Sequence, residues 1–223
     1  MIKSTGYMLI SLFFLLFSSC GGNGFVVEGT VTGIDLDGDT LTLKRYTGDV
    51  LADVSDAVVG DGEFEFEGVA DEPYVAGLFF GEVLVMPLII ENGDIEVEIT
   101  DNWALAKGTE LNDAFNTYLQ SISSFNYEIA NVSRLEARMI MDGVNPDSAK
   151  VFMEESSEKS YESMKAYIAG FVQEHYEDIL GPFAFKQWFG QMYYPMSDTL
   201  FKRIIDEAPP VFRNNAEVKA MME

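Results

Sequence analysis

Between Phe25 and Thr100 the chain alternates and breaks in the manner of a sheet protein. "FVVEGTVTGI" reads as a first strand, "DLDGDT" as a turn and "LTLKRY" as the returning strand. "GEFEFEG" sets Phe64 and Phe66 against Glu63, Glu65 and Glu67 on opposite faces, because successive strand residues point to opposite sides. "PYVAGLFF" and "VLVMPLII" are more continuously apolar, as near the centre of a sheet. "DIEVEIT" alternates again, with Ile95, Val97 and Ile99 inward and Glu96 and Glu98 outward. Short strands at this spacing predict an antiparallel β-sandwich or barrel-like module over 25–107. Pro87 interrupts one apolar run and predicts an edge strand or a bulge there.

After Gly108 the period lengthens. Leu111, Phe115, Tyr118, Ile122, Phe125, Ile129 and Val132 recur at alternating steps of four and three, one face of a long helix with Thr109 as its N-cap. "DGVNP" ends it, with Asn145 capping and Pro146 opening a second helix that runs to about Tyr176. Its predicted stripe is Val151, Phe152, Met164, Tyr167, Ile168, Phe171 and Val172. "LGPFAFKQWFGQMYYP" begins a third, nearly apolar helix, expected to be central. A fourth is expected from about Ser197 to Glu207, and a short one around 215–222. The fold class is therefore α+β, an N-terminal β module followed by a helical bundle over 108–223.

The first residues follow neither period. Lys3 precedes an almost unbroken apolar run, Leu9 to Phe17, too short to span a hydrocarbon core, which takes about 20 residues. A charged start, a short apolar centre and small terminal residues describe a secretory signal. Ser18-Ser19-Cys20 resembles the lipobox of bacterial lipoproteins, with Phe17 where an aliphatic residue is usual. The resemblance implies a signal peptide over 1–19, lipid attachment such as palmitate at Cys20, and a glycine-rich tether over 20–24. By analogy with lipoprotein sorting, Gly21 after the cysteine implies the outer membrane, and a tether without an acidic run implies its periplasmic side.

Charge and inventory narrow the chemistry. The net charge of −23 disfavours nucleic acid and anionic membrane surfaces, while 48% hydrophobic content argues against disorder. Residues 20–107 carry 19 acids against 3 bases, and residues 108–223 carry 18 against 10, so charge and hydrophobic period change together. Cys20 is the single cysteine, so once it is acylated thiol catalysis, disulfides and thiolate metal sites are excluded. No nucleophile elbow, zinc-binding helix or phosphate loop occurs, and no catalytic residue, cofactor or metal is assigned. Asp35, Asp37 and Asp39 lack the spacing of a calcium loop and read as a turn, with an adventitious cation site as the alternative. His175, the sole imidazole, reads as a residue at a helix C-terminus. Trp188, Tyr193 and Tyr194 are the candidate partner or ligand surface. Trp188 shares a predicted stripe with Phe185, Phe189 and Met192, whereas the tyrosines lie off it.

Three pieces together carry a wider resemblance: the lipobox, "DGEFEFEG…PYVAGLFF…LIIENGDIEVEI", and "KGTELNDAF" opening a helix. They resemble the N-terminal region of thioredoxin-like lipoproteins of Gram-negative bacteria, whose β-rich module forms domain-of-unknown-function family 4369. The carriers are Asp61-Gly62-Glu63-Phe64, Glu91-Asn92-Gly93 and Gly108-Thr109 with Asn112. The later helices look like the segment that precedes the thioredoxin domain in those proteins. No Cys-x-x-C is present, so the family's redox chemistry is not carried over. The expectation is a lipid-anchored, non-enzymatic envelope protein that binds or scaffolds an envelope protein, a peptide or a glycan. The alternatives are an accessory subunit of an envelope thiol-redox system whose thioredoxin-like partner is a separate chain, and a glycan or peptide hydrolase.

Overall fold

A computed structural model describes residues 24–47, 50–193 and 195–222. The predicted signal peptide, Cys20, the tether up to 23 and Tyr194 lie outside the described residues.

Eight strands come first: β1 (Gly24–Val31), β2 (Thr40–Thr47), β3 (Val50–Val58), β4 (Glu63–Val69), β5 (Tyr74–Phe80), β6 (Val83–Ile90), β7 (Gly93–Ile99) and β8 (Ala104–Lys107). They form two four-stranded sheets, ordered β4-β1-β7-β8 and β3-β2-β5-β6. The inner faces share one core, with Val27, Leu41, Leu43, Phe66, Leu78, Leu88, Ile95 and Val97 almost wholly buried. Ile95, Val97 and Ile99 point inward as the alternation predicts. β1 and β4 interlock through size complementarity. Gly29 opposes Phe64 and Gly68 opposes Phe25, and each aromatic ring lies across the glycine beside it.

Three features differ from the sequence reading. "LTLKRY" does not return beside the first strand; β2 pairs with β3 and β5 in the other sheet. β3 was not predicted, because it is an edge strand exposed along nearly its whole length and carries no clean alternation. The sandwich is not purely antiparallel, since β1 pairs with β7 in parallel. The path crosses twice: the chain leaves β1 for β2 and β3, returns as β4 on one edge of β1, leaves again for β5 and β6, and comes back as β7 on the other edge.

Pro87 sits on the edge strand β6 opposite Gly77, and the register shifts one pair further on, between Leu78 and Phe79. It withholds a donor from the open edge. The next outward residue, Ile89, is closed off by a side chain. Its N–H donates to Asn112 Oδ1 (2.9 Å) and its C=O accepts from Asn112 Nδ2 (2.7 Å).

The helices are α1 (Glu110–Met141), α2 (Pro146–Glu174), α3 (Leu180–Phe189), α4 (Thr199–Glu207), α5 (Pro210–Arg213) and α6 (Ala216–Ala220), with a 3-10 turn at Pro195–Ser197. Thr109 occupies the N-cap position of α1 without a capping bond from its side chain. Glu91 Oε1 instead accepts from the Leu111 N–H (3.0 Å), and Thr109 Oγ1 accepts from Asn112 Nδ2 (2.9 Å). Asn145 caps α2 and Pro146 opens it, as the sequence predicts. The second core gathers Phe115 and Tyr118 of α1, Ile168 and Val172 of α2, and Phe185 and Phe189 of α3. Ile89 on the outer face of β6 joins it, which ties the helices to the sandwich. The predicted α2 stripe is out of phase at its start. Val151 and Phe152 are exposed, and Ala149 and Met153 carry the burial, because each residue turns the helix by about 100°.

Candidate functional site

Trp188 does not lie in the centre of the helical core but at its margin. Phe185 and Phe189 are fully buried, while Trp188 and Met192 on the same stripe are half-buried. There they meet two further helices and close a pocket of about 450 Å³. α1 supplies Tyr118, Ile122 and Asn126 at helical steps of four; α2 supplies Tyr161, Met164 and Ile168; α3 and the turn after it supply Gln187, Trp188, Gln191 and Met192. The Tyr161 and Trp188 rings are 5.5 Å apart and tilted by 42°. Lys165 Nζ stands 5.8 Å from the Tyr161 ring and 3.1 Å from Glu162, outside the lining.

Two polar groups in the wall are out of the ordinary. Trp188 Nε1 is buried and has no hydrogen-bond partner among the described residues. A buried donor left without an acceptor costs free energy that a partner would recover. Tyr118 is packed under Phe171, with centroids 4.5 Å apart, and burial, then the neighbouring Tyr167, push its phenol up to about 12. It is therefore a neutral phenol at physiological pH.

Of the predicted surface residues that are described, Trp188 lines this pocket and Tyr193 does not. Tyr193 is 88% exposed and lies outside the lining, and Tyr194 falls outside the described residues. The sequence reading missed Tyr161, Asn126, Gln187 and Gln191. Tyr161, Met164 and Ile168 do recur at helical steps, but which face of α2 meets Trp188 is a tertiary fact.

The other candidates have visible structural employment. Asp35 Oδ1 accepts from the Asp37 N–H (3.4 Å) inside the turn, and Asp37 Oδ1 accepts from the Gly62 N–H (3.0 Å), tying that turn to the β3–β4 connection. Among the described residues no group of three or more metal-type ligands is gathered in one place. His175 is the C-cap residue of α2, with Nδ1 2.7 Å from Asp178 Oδ2, while Asp178 Oδ1 accepts from the Leu180 N–H (2.8 Å). On the outer face of the first sheet Glu28 stands opposite both Glu65 and Glu96. Lys107 is 2.6 Å from Glu98 and 3.6 Å from Glu96; its pKa is raised, chiefly by the Glu98 hydrogen bond. Trp103, half-exposed, rims a second, mostly apolar groove of about 400 Å³ between β6, β8 and α1.

Residues 25–115 match the family described as a domain of unknown function (DUF4369). A comparison with curated proteins finds no match. The matched segment spans the eight strands and ends in the second turn of α1. It contains Glu91, Thr109 and Asn112, the residues that fasten α1 to the sandwich. The Trp188 pocket is built from residues beyond it.

Proposed function

We propose that this protein, with its DUF4369 sandwich and the helices docked on it, is a lipid-anchored, non-enzymatic protein of the bacterial cell envelope. It acts by binding. Cys20 carries the lipid, the sandwich is a rigid base, and the helical bundle holds the recognition site. The observation that supports the binding site is the pocket at Trp188, where aromatic rings and side-chain amides come together. Concave sites with apolar walls and a few polar groups are the usual form of ligand sites. The anchor is supported by the apolar run ending in Ser18-Ser19-Cys20. Attachment to the outer membrane facing the periplasm accords with Gly21 after the cysteine and with a tether that has no acidic run.

The anchor is tested by metabolic labelling with a palmitate analogue. Wild type takes up label and partitions into detergent, and Cys20→Ala does neither. Label retained by the substituted chain refutes the anchor, and degradation by protease added to intact cells refutes the periplasmic orientation.

A further inference from the structure

We propose that the Trp188 pocket takes an uncharged saccharide. The proposal rests on the reading of this pocket as a binding site and names its ligand class. Among the described residues ten line the pocket and none of these is charged, in a chain where 23% of residues are. With no cation in the wall and a net charge of −23, the pocket disfavours phosphate and carboxylate ligands. With no carboxylate among the described lining residues, the wall has nothing to hold an ammonium group, while the outer sheet face carries many.

The polar groups that are present are amides: Asn126, Gln187 and Gln191. Each offers both a donor and an acceptor within one planar group. Sugar hydroxyls also donate and accept, so an amide can serve two neighbouring hydroxyls. The Trp188 N–H is itself buried, so what Trp188 offers a ligand is ring surface. Tyr161 and Trp188 contribute ring surface whose negative faces attract the weakly positive C–H face of a pyranose. An extended peptide fits less well. It binds best along a free strand edge, whereas these walls are side chains of three helices whose backbone groups are already paired. The volume of about 450 Å³ lies within the range of small-ligand pockets, roughly 300–1,000 Å³.

Trp188 emission reads the site directly. The chain has two tryptophans, and Trp103→Phe leaves Trp188 alone. The full-length chain in detergent is titrated into the millimolar range with neutral di- to tetrasaccharides of hexose and N-acetylhexosamine. Parallel titrations use uronic-acid disaccharides and uncharged tripeptides. A neutral saccharide is expected to shift emission saturably. Gln191→Ala and Tyr161→Ala, at exposed positions, should each weaken that response about tenfold with the melting curve unchanged. A uronate that binds as tightly as its neutral counterpart overturns the proposal. Saturable binding of tripeptides alone, lost in both variants, overturns the ligand class but keeps the pocket as a binding site. No response from any probe, or one that survives both substitutions, overturns the proposal and removes the support for the binding reading as well.

Discussion

Asn112→Ala should be among the most damaging single substitutions in this chain. Asn112 is 1% exposed and is the one buried side chain among the described residues that is neither apolar nor aromatic. Its amide occupies both backbone groups of Ile89, itself fully buried, at 2.9 and 2.7 Å. Alanine leaves that N–H and C=O without partners, at about 1–3 kcal/mol each, so about 2–6 kcal/mol together. Asn112 also lines the groove beside Trp103, and water entering there can serve part of the need, which places the expected loss near 3 kcal/mol. Asn112→Asp sharpens the test. A carboxylate can still accept from the Ile89 N–H, but it faces the Ile89 C=O with no proton to donate. Burial and that carbonyl raise its folded pKa above the unfolded value of about 3.9, so the protonated form is favoured by folding. Its stability is then greatest below that unfolded pKa and falls as pH rises through the folded pKa. Urea unfolding of the full chain and both variants, repeated from pH 4 to 8, measures this. An Asn112→Ala loss under about 1 kcal/mol, or Asn112→Asp stability that rises with pH relative to wild type, refutes the role assigned to this amide.

Gly29→Ala should cost at least about 2 kcal/mol in the same unfolding assay, since its Cβ would fall 1.9 Å from the Phe64 ring inside the packed core. Trp188→Ala should lower stability by about 1–3 kcal/mol, less than a fully buried aromatic, and Tyr193→Ala by no more than about 0.5, as its 88% exposure implies. Alkaline titration followed by tyrosinate absorbance should show one phenol delayed to about 12. The raised pKa of Tyr118 means that stability held below the unfolded pKa of about 10 is lost as pH climbs through 12, and Tyr118→Phe should remove that delayed phenol and that loss.

The legible parts were those in which local pattern and burial coincide. The α1 face from Phe115 to Val132 and the inward row Ile95, Val97 and Ile99 could be read because one side of each element meets a core. β3 could not, since an edge strand buries almost nothing and its residues obey no period. Nor could the β1–β7 pairing, which joins two stretches with a whole sheet between them. The start of α2 failed by phase: two apolar residues, Val151 and Phe152, outweighed the smaller Ala149 that packs. Trp188 was visible as an aromatic on a helical stripe, yet its pocket was not. The pocket depends on Tyr161 and Asn126 arriving from two other helices, and no spacing along the chain records that meeting.

The parallel pairing of β1 with β7 carries a consequence for how the chain matures. β1 is first to leave the ribosome and first to cross any translocation pore, yet Phe25 finds its partner Gly93 only after five other strands have been made. Closing so long a loop is entropically costly before any contact rewards it, and topologies dominated by such distant pairs fold in milliseconds to seconds. During that interval one edge of β1, which carries the core residues Phe25, Val27 and Val31, has no partner even once β4 has been made. Such a strand invites mispairing with a neighbouring chain. The glutamates that crowd β4 and β7 give a physical counterweight, because like charges on the strands waiting to join β1 keep unfinished chains apart. An acidic sheet face of this kind opposes, by charge repulsion, the association of chains that have not yet closed the sheet.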